Sequence, residues 1–407
     1  MRKRYSLALI VILVVALALS AGFSHQSKAK AQDEFVFGLI LVGPHDDNGW
    51  SEAHYNGGLY VEQHVEGAKM VWIDKVNPAD SPELTMDLVV EDLVSQGAKL
   101  IIATSDDFKA DITAVAPNYP DITFLHVSGD GVWSGEAPDN MGNLFGQMQY
   151  GKAIAGCAAA LKTETGKIAY LGPLVNDETR LFANSAYLGA KYCYENYRGM
   201  DPATLQFTVN WIGFWFNIPG VTLDPTEVAN AFFNDGNDVV LSGIDTTEAT
   251  VVAGQRSAEG ERVFSLGYDY VDTCTEAPSV CLGVPYYNWG PSYVTEVTAV
   301  KDGTWTRSFD WLEPDWTDIN NPDTSIVGFA KGEALSEEES ATLDTFIAAL
   351  GAGAKGEEGG INLFTGPINY QDGSTYLADG EAATPEQIWY MPQLLESMIG
   401  ESTAESQ

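Results

Sequence analysis

The sequence predicts an α/β protein built from two doubly wound lobes, each a parallel sheet covered by helices on both faces. Three observations lead there. From Phe35 onward, apolar strand-like runs alternate with amphipathic helical patterns. The runs are continuously apolar, as expected of strands buried on both faces. They also fall into two series, the second starting near residue 167, and 407 residues are enough for two ordinary domains.

In the first series the strands are FVFGLILV, MVWIDKV, KLIIATS and TFLHVSG. Between the second and third lies SPELTMDLVVEDLVSQGAK, read as a helix capped by Ser81, with Leu84, Leu88, Val89 and Leu93 on one face and Gly97 as its stop. The boundary between lobes is placed near 140–150, where NMGNLFGQMQYGKAIAG enters a long helix of small residues. The second series is KIAYLGP, FTVNWIG, DVVLSG, VFSLGYD and VCLGVPYY. After the linker GAGAKGEEGG come a short strand-turn, FTGPINYQDG, and a final helix near 384–399, and residues 400–407 are read as a disordered tail.

Residues 1–31 read as an export signal. Met1–Arg4 is basic, Leu7–Ala21 is an apolar run too short for a comfortable membrane span, and Ala29-Lys-Ala31 fits a small-x-small cleavage site before Gln32. An uncleaved anchor is the alternative. Removal of this segment, with its five basic residues, takes the net charge from −36 to −41. With 57 acids against 21 Lys plus Arg, the chain has nothing to neutralise a run of phosphates, which excludes nucleic acid as a partner. Export permits disulfides. Cys274 and Cys281 bracket a short loop and are expected to bridge, whereas Cys157 and Cys193 sit in helical patterns and are either a pair or buried thiols. No C-x-x-C spacing suggests a metal.

Ligands of open parallel sheets bind at the C-terminal ends of strands. Those loops read HDDNGW, TSDDF, SGDG, GPLVNDETR, WIGFWFN, SGIDTT, GYDY and PYYNWG. They are rich in Asp, Asn, Ser, Thr and large aromatics, and Arg180 is their one strong cation. This composition suits a flat, polar, mostly uncharged ligand: ring faces stack, and carboxylates or amides accept its N–H and O–H groups. It suits a phosphate badly. In Asp46-Asp47 and Asp106-Asp107, at least one acid of each pair is expected to serve only as a helix cap. Enzyme readings fail. GQMQYGKA has Ala153 where a phosphate-binding loop needs Ser or Thr, and no G-x-S-x-G elbow is present. A metal site from His45, Asp46 and His126 is conceivable but weak, because lone histidines more often pack.

DNGW on the first strand–helix loop, LIIATSDDF, GYDY, PYYNWGPSYVTEVTAVKDGTW (Pro285–Trp305) and FTGPI (Phe364–Ile368) together resemble the basic membrane protein family of ABC-importer substrate-binding proteins, similar to purine nucleoside receptors. The resemblance implies a type I periplasmic-binding-protein fold: two doubly wound lobes joined by three crossovers, with ligand in the cleft. On that division 33–147 and 268–302 form the first lobe, and 148–267 and 303–399 the second with a C-terminal extension. By motif position the ligand residues are Asp47, Asn48, Trp50, Thr104, Ser105 and Phe108 from the first lobe. Asn184, Trp215, Asp245 and Asp269 face them, with Asn288 and Trp289 at a crossover. The resemblance implies no catalysis and no cofactor. It implies an exported monomer in the periplasm or at the cell surface that delivers a heterocycle to a membrane permease. Two departures from the family pattern, no Asp near Ser128 and no Lys in PYYNW, favour a free base such as adenine over a nucleoside. The missing anchoring cysteine argues against a lipid anchor. Riboflavin or sugar receptors, or a sensory binding protein, are the alternatives, and a nucleoside hydrolase is a weaker one.

Overall fold

A computed structural model describes residues 34–403, so the export segment 1–31 and the last four residues lie outside the described chain. Six parallel strands form the first sheet: β1 (Phe35–Ile40), β2 (Ala68–Ile73), β3 (Ala98–Ala103), β4 (Thr123–Val127), β5 (Met141–Gly146) and β11 (Phe309–Leu312). Their order is β11-β5-β4-β3-β1-β2. The second sheet runs β15-β7-β6-β8-β9, from β6 (Lys167–Gly172), β7 (Gln206–Trp211), β8 (Val239–Ser242), β9 (Phe264–Leu266) and β15 (Met398–Ile399), again all parallel. Each order reverses direction beside its first strand, and the loops leaving β1 and β3, and β6 and β8, face one another across the switch points.

The helices that matter to the site are α1 (Trp50–His64), α2 (Met86–Ser95), α3 (Lys109–Val115), α4 (Met148–Lys162), α5 (Asp177–Asn196), α6 (Pro225–Asn234), α7 (Glu248–Ala258), α8 (Gly290–Lys301), α9 (Glu337–Ala354) and α10 (Pro385–Trp389). Between the sheets lies an antiparallel ribbon of β10 (Gly283–Tyr287) and β12 (Val327–Lys331). The chain passes between lobes after β5, between β9 and β10, and between β11 and β12. Together with the two parallel sheets this is the type I periplasmic-binding fold.

The sequence explains why α4 and α5 form a rigid pair. α4 reads MQYGKAIAGCAAALK, and its small residues let the helices meet backbone to backbone. A Cβ on Gly156 would lie 1.8 Å from the Ala186 carbonyl oxygen, and one on Gly189 would lie 2.0 Å from that of Ala153. Cys157 and Cys193 are bridged across this contact (Cα–Cα 5.2 Å), and Cys274 and Cys281 form the expected local bridge (Cα–Cα 5.4 Å).

Several expectations need correction. MGNLFG is strand β5 rather than the entry to a helix. Helix α2 begins at Met86 and is capped by Thr85, not Ser81; Leu88 faces solvent and Met86 and Val90 take its place in the core. Residues 309–312, assigned to the second lobe, pair with β5 in the first sheet. The last helix stops at Trp389, because Pro392 follows and disfavours helical backbone before it. Residues 400–402 are not a loose tail: Trp211 Nε1 donates to the Glu401 carbonyl, and the Ser402 hydroxyl accepts from Leu394 N and donates to Gln371.

The C-terminal extension straps the two lobes together. It carries the hairpin β13 (Ile368–Asn369) and β14 (Thr375–Leu377) and ends in β15 of the second sheet. Before that, Trp389 is 2% exposed among Trp133, Phe145, Phe309 and Trp311 of the first lobe. Tyr390 donates to Asp130 Oδ2 at 2.9 Å.

Candidate functional site: the cleft between the lobes

Eight residues from both lobes line a tight cavity of about 10 Å³. The first lobe supplies Trp50, Ser105, Asp106 and Ser128, the second Glu178, Trp215 and Asp245, and Tyr268 comes from the crossover after β9. All sit on loops or helix starts that follow parallel strands, where the fold leaves side chains free to converge. The lobes are shut. The Ser128 hydroxyl donates to the Glu178 carboxylate, and Asn176 Nδ2 donates to Asp106 Oδ2 at 3.0 Å. Gly49 is so close to the opposite lobe that a Cβ there would lie 1.8 Å from the Asp245 carbonyl oxygen.

Trp50 stands at the start of α1, with its indole N–H donating to the Thr104 carbonyl. Trp215 is 6% exposed, and its Nε1 is buried without a partner. Three cleft-loop residues, Asn48, Ser128 and Asp269, hold φ of 54°, 67° and 67°, a region costly for side chains other than glycine. Asp269 is fully buried with both carboxylate oxygens unpartnered, and the Tyr170 and Tyr287 hydroxyls are likewise buried without partners. Lys152 of α4 is 1% exposed; its Nζ donates to the Ser242 carbonyl at 2.9 Å and lies 3.0 Å from the centre of the Tyr268 ring.

Burial dominates the electrostatics. It pushes the Asp106 carboxyl up to about 6, against a smaller opposing effect of Asn176. Burial pushes Glu178, Asp245 and Asp269 well above the usual carboxylate range, and repulsion from neighbouring carboxylates adds to this. Burial also pulls Lys152 well below the ordinary amine value, although Asp269, Glu178 and Asp245 act to restore it.

The structure brings Trp50, Ser105, Trp215 and Asp245 together, with Asp269 immediately beside them. Other expected ligand residues are occupied elsewhere. Asp47 Oδ1 accepts from the backbone of Gly49 and Glu52 and its Oδ2 from Ser51, making it a cap for α1. Asn48 is exposed. Thr104 donates its hydroxyl to the Ile40 carbonyl. Phe108 packs in the first lobe beside a separate surface pocket. Asn184 anchors the C-terminal strap, donating to the Gln393 carbonyl and accepting from Leu395 N. Asn288 donates to the carbonyls of Pro322 and Ser325. Trp289 is sealed in a stack, 4.5 Å from Tyr287 and 4.3 Å from His54 between ring centres, where it joins α1 to the crossover. The weak histidine-metal grouping dissolves: His45 pairs with Asp74, and His126 Nε2 donates to the Ser105 carbonyl.

Asp106, Ser128, Glu178, Tyr268 and Lys152 are the site residues that sequence reasoning did not select. The first four lie in strand-end segments already picked out: TSDDF, SGDG, GPLVNDETR and GYDY. Lys152 lies in GQMQYGKA, where failure of the phosphate-loop reading hid a lysine aimed at the cleft.

Two parallel-sheet lobes shut over a small polar cavity lined by tryptophans define a ligand-capturing protein of the solute-binding type. Comparison gives the family: residues 35–306 match the Bmp model, described as ABC transporter substrate-binding protein PnrA-like, and the chain belongs to that family. It is therefore a substrate-binding protein of an ABC importer, an extracytoplasmic class whose partners are a small-molecule ligand and a membrane permease, and the family is one of binding proteins rather than enzymes. Among the described residues no helix is long and apolar enough to cross a membrane. A purine-binding protein of Brucella abortus is 28% identical over 92% of this chain and 95% of its own length. A putative ABC transporter glucose-binding protein of Haloferax volcanii is 25% identical over 78% of this chain and 75% of its own. An ABC transporter solute-binding protein of Aeropyrum pernix shares the fold at a TM-score of 0.58 and 16% identity, covering 81% of this chain and 83% of that one.

Proposed function

We propose that this protein captures a purine-type base in the interlobe cleft and presents the closed, loaded form to its permease. The observation that carries the reading is the convergence of Trp50 and Trp215, from opposite lobes, on one cavity rimmed by carboxyl and hydroxyl groups. Such walls hold a flat ring by its faces and its N–H groups by its edges. The purine-binding relative, aligned over nearly its whole length, supports the same class. Ligand docks on one lobe and the second closes over it, so that the Ser128–Glu178 and Asn176–Asp106 bonds form as the ring is buried. Asp269, on the crossover after β9 with neither carboxylate oxygen hydrogen-bonded, is the partner for the ligand's donors. The protein acts as a monomer.

Calorimetry on protein stripped of carried-over ligand tests this with adenine, guanine, hypoxanthine, adenosine, inosine, riboflavin and glucose. A base should bind, and Trp50→Ala, Trp215→Ala and Asp269→Ala should each weaken it at least about tenfold, or 1.4 kcal/mol. Glucose is included because of the Haloferax relative, and binding of glucose alone would replace the ligand class.

A further inference from the structure

The cleft holds more acid than a neutral ligand needs. Asp106 reaches it from the first lobe, and Glu178 and Asp245, 4% and 5% exposed, from the second. Asp269 lies directly behind, wholly buried, with neither oxygen partnered. Against these four carboxyls stands one amine, Lys152, whose charge burial itself opposes. The other nearby cations are committed elsewhere: Lys109 to Asp130, and Arg180 to Asp177 and the Met391 carbonyl.

The remaining neighbours bring no positive charge. Asp47 on the β1–α1 loop is held by backbone N–H groups. Tyr170 of β6, Tyr268 after β9 and Tyr287 of β10 are neutral phenols, since burial raises each of them further. His126 of β4 is buried and kept neutral, its value lowered to about 4. Four carboxylates cannot all ionise in a closed, dry cavity beside one lysine, because unpaired buried charge is too costly. The closed cleft must therefore hold protons, or receive positive charge from what it binds.

We propose that the ligand is a basic, amino-substituted nitrogen heterocycle held as a cation, which takes up a proton from this carboxyl cluster, so that oxo-substituted analogues of equal size bind far more weakly. This rests on the purine-type reading of the cleft and narrows it. A carboxylic acid proton moves to a basic ring nitrogen, leaving a carboxylate against a ring cation, with no change in total protons or charge. The resulting N–H···O⁻ bonds are stronger than neutral ones. An amino substituent makes the ring nitrogen more basic and an oxo substituent makes it less so, so the oxo analogue takes up the cluster's proton less readily, while Asp269 supplies acceptors for the amino N–H groups.

Two opposite pH dependences follow. A neutral base that needs the cluster's proton loses affinity as pH rises and the cluster ionises. A permanently charged aromatic cation, which displaces those protons, gains affinity over the same range.

The test is calorimetry on the stripped full chain with adenine, hypoxanthine and benzamidinium between about pH 5.5 and 8.5. Adenine should bind at least about tenfold more tightly than hypoxanthine. Benzamidinium should bind and compete with adenine, and the two pH slopes should have opposite signs. Glu178→Gln, checked for an unchanged melting profile, should narrow the adenine–hypoxanthine gap; if it melts early, Asp245→Asn serves instead. Hypoxanthine binding as tightly as adenine, or failure of benzamidinium to bind while purines do, overturns the proposal and leaves the purine reading standing. Benzamidinium binding with no purine does the reverse. Silence from all three removes both.

Discussion

The indole N–H of Trp50 donates to the backbone carbonyl of Thr104, fixing a first-lobe ring to the end of the neighbouring strand. Its edge also meets Tyr287 and Trp289 at close to right angles, so the ring has little freedom to swing. Trp50→Phe keeps an aromatic face and loses the hydrogen bond. It should weaken ligand binding by several-fold, in line with about 1 kcal/mol for such a bond, whereas Trp50→Ala should cost more. Titration calorimetry of both variants separates ring positioning from ring stacking.

The closed state is expected to be sensitive to the two bonds that join its lobes. Ser128→Ala and Asn176→Ala each remove one donor and leave the facing acid, Glu178 or Asp106, in place. The double variant should release ligand faster with little change in association rate. Small-angle scattering should show a more open ligand-free form. Unchanged dissociation kinetics would mean that these bonds do not govern closure.

Asp106 gives a pH signature with a definite sign. Its carboxyl is raised from 3.8 to about 6 by burial, so the folded state binds its proton more tightly than the unfolded chain does. Its ionisation therefore penalises folding: not at all below 3.8, increasingly as pH rises, and fully above about 6. Asp106→Asn keeps an acceptor for Asn176 and removes the charge. The variant should melt at the same temperature as the parent near pH 4 and higher than it above pH 6. Melting curves that stay parallel across this range would refute the assignment.

The bridge between α4 and α5 closes a loop of 36 residues and the other a loop of 7. In the loop-entropy model these correspond to about 4 and 2 kcal/mol. Cys157→Ala/Cys193→Ala should thus lower the denaturation midpoint more than Cys274→Ala/Cys281→Ala, even though both Cys157 and Cys193 already sit in a packed helical contact.

Trp389 should be the costliest single truncation in the C-terminal strap. Its ring fills a site walled by four first-lobe aromatics, and Trp389→Ala should destabilise by about 3–5 kcal/mol. Tyr390→Phe removes only the bond to Asp130 and should lower the melting temperature slightly.

The strand–helix alternation was readable because parallel strands buried on both faces announce themselves as apolar runs. β5 was not, since MGNLFG contains two glycines and leads without a turn into a helix. The membership of β11 was hidden for another reason: FDWL looks like any strand, and nothing local says which of two sheets it completes. The loops of the site were legible from the strand-end rule. Which residue on each loop turns inward was not. The rule pointed to the cleft through DNGW, yet Asp47 there is consumed by helix N–H groups, while Glu178, the second residue of a helix, reaches the cavity. Asn184 and Asn288 looked like ligand groups and are instead spent on backbone far along the chain, at residues 393–395 and 322–325. Such partnerships depend on where the C-terminal extension and the β11–β12 loop fold back, and no local pattern encodes that.

The backbone contact at Gly156 and Gly189, locked by the Cys157–Cys193 bridge, has a mechanical consequence. A helix pair with no compliant side chains between its members cannot absorb strain by repacking. The second lobe is therefore expected to move as one stiff body on the hinge ribbon when the cleft opens or closes.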